Sequence, residues 1–583
     1  MPDRGTVIAI SGAKGVYTSA LSVVLSELLR WKRVKFSDHL RDLAKGEGEP
    51  PDDTAVLQRI GQQLVREQPD KFVAAVLKLA DWKPGENLVL DGLRHAEIFT
   101  ELQRQVGNSV DLHVVHIAIQ DRADRADRAK RSEGLSNQEF ETYDQDETEK
   151  QVEQAPAYAS LSLNGADPRG ELARTIIRRL LPEFPFKPPP DEHEAVSAME
   201  PLVIETGLEG LARDLIREAG DFAKEVPIGL AQPLSNLVRA MNCYYSNRIE
   251  GYNAPLADID LALSGDYERD SRKRYHQAQA KAHIEVQRWI EDGNLADQPV
   301  CSSKFVCAVH DRFLSEFPEP QWLEDGEGSR ELVIPGGFRR VFATVGKHVP
   351  PSPAAIPRFM NRFEKVYGNL ASPESIVLAA APAHHRLLWI HPFGDGNGRV
   401  ARLMSDAMLS RALRTHSIWS VSRGLANNEV EYKALIAACD QTRRGDLDGR
   451  GNLSESALTE FTEFFLKICL EQVRFMRKRM RLDELSNHIE RWVETASAYG
   501  EGGNQASGSG QRLDPAAGPL LKAILHEGVL SKSRCQVVVG SKVNASDVID
   551  QLKRDGVVNV HGEAVSFSLP AHRAERFLPG LFP

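Results

Sequence analysis

Residues 391–402 read HPFGDGNGRVAR. An imidazole, a lone carboxylate, Gly396-Asn397-Gly398 and then two guanidiniums three residues apart make up the composition of a phosphate site. Consecutive small residues let backbone N–H groups curl into an anion-binding nest, and a helix starting there adds its positive end. Arg399 and Arg402, at i and i+3 of that helix, share a face and can grip two neighbouring phosphates. Asp395, the only carboxylate of the loop, is the candidate ligand for Mg²⁺, which takes one or two carboxylates together with phosphate oxygens. His391 lies on the other side of the loop, where an imidazole titrating near neutrality can accept a proton from an attacking hydroxyl.

On both sides of this loop the chain reads as helices. Residues 201–218, 233–245, 266–291, 303–317, 356–370 and 373–388 carry apolar residues at three- and four-residue spacing, and 400–413 continue behind the loop. The site is therefore expected as a helix–nest–helix unit inside an α-bundle. One stretch breaks the pattern. Residues 336–346, GGFRRVFATVG, alternate in character, are flanked by glycines and lead to Pro350-Pro351, which predicts a short hairpin. Residues 445–454, GDLDGRGNLS, invite a calcium reading that fails. Arg450 stands where an EF-hand loop wants Asp or Asn, and Ala457 stands where it wants Glu, so a structural loop is expected. Tyr432 is either an adenine contact or a core aromatic.

The motif at 391–402 matches HxFx[DE]GNGRxxR, the signature of the Fic family, at every fixed position, and residues 195–482 resemble a Fic module. The resemblance implies an all-α bundle that transfers AMP from ATP, with Mg²⁺, to a Ser, Thr or Tyr hydroxyl of a target protein or of itself. It makes His391 the base, Gly396, Asn397, Gly398, Arg399 and Arg402 the nucleotide contacts, and Asp395 the metal ligand. It also implies that Phe338, Arg339, Arg340, Val341 and Phe342 form a hairpin flap that pairs with an extended target segment, an instance of strand addition. Upstream, SNRIEG at 246–251 matches the [ST]xxxE[GN] pattern of Fic proteins that carry an inhibitory helix. Ser246 and Glu250 are its fixed residues. A glutamate aimed at the phosphate-gripping arginine occupies it as a carboxylate fork and excludes the γ-phosphate. Three alternatives stay open. They are transfer of another nucleotide or phosphate group, removal of AMP with Glu250 aligning water, and a nucleotide-sensing regulator acting through its flanking domains. A homodimer is compatible with each.

Residues 1–182 open with an apolar strand at 7–10, a small-residue loop SGAKG at 11–15 and a helix from about Ser19. Strand, glycine loop and helix form the P-loop context, but the fit to GxxxxGK[ST] is partial. Gly12 and Ser19 are in register, whereas Tyr17 and Thr18 replace the second glycine and the lysine that grips the β- and γ-phosphates. Lys14 is the candidate stand-in. A strand at 87–91, NLVLD, precedes Gly92-Leu93-Arg94, and another strand covers 111–119. Arg122, Arg125, Arg128 and Arg131 then recur every three residues, either as a lid or as a solvated face paired with Asp121, Asp124 and Asp127. The whole resembles a degenerate P-loop nucleoside-monophosphate kinase that senses a nucleotide or holds a partner rather than catalysing.

A proline-rich stretch, PEFPFKPPP at 182–190, makes residues 183–194 a stiff spacer, and GEGGNQASGSG makes 497–518 a flexible linker. Residues 519–583 read as helices at 519–527 and 545–554 and a strand pair at 557–569, an order that resembles a winged helix-turn-helix. From Arg512 onward nine Lys/Arg face seven Asp/Glu, and Asp547 and Asp550 open the presumed recognition helix. That balance suits protein contact or intramolecular docking better than nucleic acid.

At 583 residues the chain is too long for one core, which fits three or four domains. A net charge of −10 argues against a general nucleic-acid or anionic-membrane binder. No apolar run reaches the ~18 residues of a membrane span. The opening MPDRGTVIAI lacks the plan of a signal peptide. The cysteines are few and scattered, and Cys301 and Cys307, the nearest pair, have no His partners at zinc spacing. Buried reduced thiols in a cytoplasmic protein are expected.

Overall fold

A computed structural model describes residues 4–184, 194–204, 207–252, 255–317, 319–324, 330–415, 417–499 and 512–583. The N-terminal region is an α/β layer structure. Strands β1 (Gly5–Gly12), β2 (Lys32–Lys35), β3 (Leu88–Asp91), β4 (Val110–Ala118) and β5 (Leu161–Asn164) form one parallel sheet in the order β2-β3-β1-β4-β5. The runs VIAI and LVL are buried throughout and do not alternate, because helices cover both faces of the sheet. Those helices are α1 (Thr18–Leu29), α2 (Phe36–Glu47), α3 (Thr54–Glu67), α4 (Pro69–Leu79), α5 (Ala96–Val106), α6 (Arg122–Glu133), α7 (Asn137–Asp144), α8 (Glu147–Val152) and α9 (Arg169–Leu180).

The central region is helical from α10 (Glu209–Glu225) through α11 (Ala231–Ile249), α12 (Leu256–Ser264), α13 (Ser271–Glu291) and α14 (Ser303–Ser315). After a two-stranded antiparallel hairpin, β6 (Trp322–Glu324) and β7 (Arg330–Leu332), it continues through α15 (Ile356–Tyr367), α16 (Pro373–Ile390) and α17 (Asn397–Leu413). Then come α18 (Val421–Asn427), α19 (Glu429–Cys439), α20 (Glu455–Arg479) and α21 (Leu482–Tyr499). The C-terminal region has α22 (Ala517–Glu527), β8 (Leu530–Ser531), α23 (Lys532–Val539), α24 (Ala545–Arg554), β9 (Val558–His561) and β10 (Ala564–Phe567), with its strands ordered β8-β10-β9 and antiparallel.

These regions share cores. Leu332 and Ile334, at the base of the β6–β7 hairpin, pack among α1 and α9 residues such as Leu28 and Ile176. One apolar cluster runs from Met199 through the central bundle to Phe582. The last residues dock on α11: the Tyr245 hydroxyl donates to the Leu581 carbonyl at 2.6 Å, and Phe582 stacks on the Tyr245 ring.

Three expectations change. The hairpin predicted within 336–346 is not there. Pairing sits earlier, at β6–β7, and only an isolated bridge joins Val345 to His348. The segment is pinned instead by inward bonds, the Arg339 N–H donating to the Pro392 carbonyl at 2.9 Å. Residues 497–499, assigned to a flexible linker, belong to α21, whose Leu485, Ile489, Val493 and Ala496 bury one apolar stripe. At its other end 512–518 also pack, Leu513 being buried and Ala517 opening α22, while 500–511 of that linker and 185–193 of the proline-rich spacer lie outside the described residues. The spacer's flanks are tied down: Phe184 packs edge-on against Trp31, and the Glu194 carboxylate accepts from the Ser352 N–H. Finally, Arg128 and Arg131 are neither solvated nor a free lid. They are buried between regions, Arg131 pairing with Glu316 at 2.6 Å and with Asp127 on its own helix.

Candidate active site

Helix α16 starts on a Ser372 cap and ends at His391, whose backbone is left-handed (φ 47, ψ 59), so the chain reverses there. The loop that follows is stitched by Asn397. Its Oδ1 accepts from the Phe393 N–H at 3.0 Å, and its Nδ2 donates to the Phe393 carbonyl at 2.8 Å. The Asn397 side chain is thus spent on loop shape, which leaves only its backbone N–H for a ligand. Gly396, at φ 80, provides the left-handed step into α17. Gly398 lies close under Glu250: a Cβ there would sit 2.5 Å from Glu250 Oε1, so a side chain would push that carboxylate aside. Asp395 is exposed, and its Oδ1 accepts from the Gly396 N–H at 2.6 Å. One free carboxylate oxygen beside a helix N-terminus fits a Mg²⁺ that completes its shell with phosphate oxygens and water.

Arg402 is buried, and α11 holds it. Its Nε donates to Ser246 Oγ at 2.8 Å, one Nη donates to the Ser246 carbonyl at 3.3 Å, and the same Nη pairs with Glu250. Burial alone would raise the Glu250 carboxyl, but Arg402 outweighs it and holds the group below its ordinary range. Glu250 ends α11, and Gly251, at φ 82, turns the chain away. The motif thus brings Ser246, Glu250 and Arg402 together. Arg399 goes elsewhere: its guanidinium lies 5.5 Å from the Phe313 ring centroid, with Nε and Nη1 buried and unpartnered. The shared face expected for the two arginines is divided between α11 and α14.

A cleft of about 1100 Å³ opens here, lined by Glu250, His348, His391, Gly398, Arg402 and Tyr432. Burial, reinforced by the nearby Arg339 charge, pushes the His391 imidazole down to about 4, and its Nδ1 has no partner. The ring is therefore neutral at pH 7 and can accept a proton. Arg339 does not face a target. It is buried, with Nε donating to the His391 carbonyl at 2.8 Å and Nη1 to the Val341 carbonyl at 2.9 Å. Phe338 packs toward Phe393, ring centroids 6.0 Å apart, and Arg340 is half-buried near Glu331. Of the five candidate flap residues Val341 and Phe342, 39% and 63% exposed, are the most open to solvent.

Tyr432 is a core residue at the cleft wall. Ser405 Oγ donates to the Ala401 carbonyl, so it accepts from His384 Nδ1; His384 Nε2 then accepts from the Tyr432 hydroxyl at 2.7 Å. No sequence signal beyond two adjacent histidines on an apolar helix points to this chain of bonds.

The N-terminal loop has no free cation. Lys14 Nζ pairs with Glu133 at 2.8 Å, and the Lys14 N–H donates to Glu149, which also pairs with Arg94. Lys14, the candidate stand-in for the P-loop lysine, is thus engaged by Glu133 in this structure. The Tyr17 ring lies between the guanidiniums of Arg128 and Arg169, each 5.6 Å from its centroid. A Cβ on Gly15 would meet the Arg125 carbonyl at 2.3 Å, so α6 closes down on the loop. Asp448 likewise serves its own turn, accepting from the Arg444 N–H and the Ser454 hydroxyl.

Comparison with known proteins finds likeness in the same part of the chain. A model of the Fic/DOC family matches residues 300–409. "Protein adenylyltransferase Fic" of Aedes aegypti is 46% identical over 170 residues, 29% of this chain and 32% of that protein. The protein of the same name from Culex quinquefasciatus is 44% identical over 89 residues, 15% of this chain and 17% of that protein. The chain thus spans a third or less of the length of these relatives. A Fic family protein from Desulfovibrio desulfuricans, known from its crystal structure, is similar over 63% of this chain and 98% of its own, at 16% identity and a TM-score of 0.36.

Proposed function

We propose that this chain is a protein adenylyltransferase that moves AMP from ATP to a Ser, Thr or Tyr hydroxyl of a target protein or of itself, and that Glu250 restrains it. The observation that supports this reading best is one cleft shared by neutral His391, the N-terminal turn of α17 and Arg402. ATP phosphates would run past Gly396 along the N–H groups of Asn397 and Gly398, where the helix end favours anions. Mg²⁺, held by Asp395, would neutralise phosphate charge. His391 accepts the proton of the incoming hydroxyl, whose oxygen bonds to the α-phosphorus as the bond to the β-phosphate oxygen breaks and pyrophosphate leaves. Positioning and charge stabilisation dominate, because phosphoryl-type centres need little covalent help. Exposed Val341 and Phe342 at the segment 336–346 would meet the target's backbone.

Glu250 sits where it must be displaced before a γ-phosphate reaches Arg402. It could also align water for removal of AMP, which is the second reading. The N-terminal region is read as a kinase-like domain that has lost phosphate transfer, and the C-terminal region as a winged helix used for docking on α11. Among the described residues no helix is long and apolar enough to cross a membrane, and a cytoplasmic location is part of the proposal. Incubation with α-labelled and γ-labelled ATP in parallel, using Glu250→Gly, tests the chemistry. Protein label from the α-position alone supports AMP transfer; label from γ means phosphate transfer and overturns it.

A further inference from the structure

Helix α14 carries two adjacent residues that serve different neighbours. His310 is fully buried, its ring parallel to that of Phe393 with centroids 3.8 Å apart. Its Nδ1 accepts from the Gly336 N–H at 3.0 Å, so the ring proton is on Nε2, and Nε2 donates to the Asp395 carbonyl at 3.1 Å. A single neutral imidazole therefore joins the turn before the 336–346 segment to the loop before α17. Asp311 points to the N-terminal region, accepting from the Gly170 N–H at 2.9 Å and pairing with Arg174. Arg174 in turn donates to the Pro335 carbonyl at 3.2 Å. The Pro335-Gly336 turn is thus clamped from two sides. Gly336 has to be glycine there, being at φ 65 with its Cβ direction 2.8 Å from Asp311 Cβ.

We infer that His310 is a positioning residue for the transfer reaction: it ties the Asp395 carbonyl to the Gly336 turn and so sets the Asp395–Gly396 backbone relative to His391. This inference rests on the adenylyltransferase reading above. The loop's other side bonds act on neighbouring points, Asn397 on Phe393 and Arg339 on His391. The Asp395 carbonyl is held by His310. Without the Nε2 donor, the nest and the Asp395 carboxylate can drift from the α-phosphate while the nucleotide still binds through Arg402. A displacement of ~1 Å at such a centre costs about 10²-fold in rate.

The test compares His310→Ala, His310→Asn and His310→Gln in the full chain carrying Glu250→Gly. Asn places an acceptor where Nδ1 was but no donor at Asp395; Gln places an amide donor near the position of Nε2. We expect Ala and Asn to lower kcat by about 10- to 100-fold with KM for ATP changed less than about threefold, and Gln to recover most of kcat. Amide hydrogen exchange at 393–398 should quicken in Ala and Asn but not in Gln. Transfer by His310→Ala equal to its parent overturns the inference, as does an equal loss in all three variants, which would mark a packing role. If the Glu250→Gly parent incorporates no α-label, the adenylyltransferase reading is what fails. Exchange then still decides the positioning: unchanged protection at 393–398 in His310→Ala overturns it, and faster exchange supports it.

Discussion

The Glu250 carboxylate is paired with the Arg402 guanidinium across 152 residues of chain, and Ser246, one turn earlier on α11, accepts from the same arginine. The guanidinium is almost wholly buried while the carboxylate is about a third exposed, so the pair can be opened from the cleft side. A polyphosphate entering the cleft competes for the same donors.

Glu250→Gly should therefore raise AMP transfer and self-modification. Coupling of this kind is typically ~1–3 kcal/mol, roughly 5- to 150-fold. Adding Arg402→Ala should not give the same release, because that arginine also holds the nucleotide. A time course of α-label incorporation at matched concentrations checks this. An unchanged rate in a wild type that is demonstrably active removes the autoinhibition.

His391→Ala should abolish transfer while sparing nucleotide binding, since the ring has a proton to move and no charge to hold. Loss of a general base costs about 10²–10⁴ in rate. AMP incorporation and equilibrium ATP binding, measured side by side, separate the two. Wild-type incorporation by the variant would exclude His391 from the mechanism.

The pH response follows from burial. His391 and His385 are pushed down to about 4, and His384 to about 3, chiefly by desolvation. Each is neutral in the folded chain but takes a proton in the unfolded chain below about 6.5. Their contribution to stability is present above that pH and is lost as pH falls toward 4. Tm should decline over this window. The acid limb of kcat/KM should fall well below 6.5, near the free-enzyme value of the base. A limb centred at 6.5 would show that His391 is not the buried base.

The N-terminal region should show no phosphate transfer to any nucleoside monophosphate. Tyr17 fills the place of the second P-loop glycine, and Lys14 is committed to Glu133. Because Leu332 and Ile334 complete its core, the assay belongs on the full chain, with His391→Ala to silence the other site. Monophosphate-dependent ADP formation would overturn the pseudo-kinase reading.

What was legible in the sequence was local. The nest at 391–402 is contiguous, so the anion loop and the helix behind it follow from a dozen neighbouring residues, while the left-handed backbone at His391 and Gly396 was seen only in the fold. Helix periodicity placed α11, α13, α14, α16 and α17 to within a few residues, because each buries one stripe of its own sequence. The strands at 7–10, 87–91 and 111–119 were legible as apolar runs, whereas their parallel pairing with β2 and β5 into one sheet was shown by the fold. Everything that depends on which distant residue meets which was decided by packing. Arg399 and Arg402 share a helix face by spacing, yet Phe313 takes one and Ser246 and Glu250 take the other. Arg339 sits in a segment that reads as a hairpin, yet the carbonyl of His391 draws it inward and the strands form earlier. Lys14 had no partner until α6 brought Glu133 to it, and His310 carried no signal until α14 was laid against the loop. Backbone shape and the anion nest arise from short-range geometry that neighbouring residues encode. The partner of a buried charge is chosen by tertiary contact, because the cost of leaving it unpaired can be met only by a group the fold brings from elsewhere.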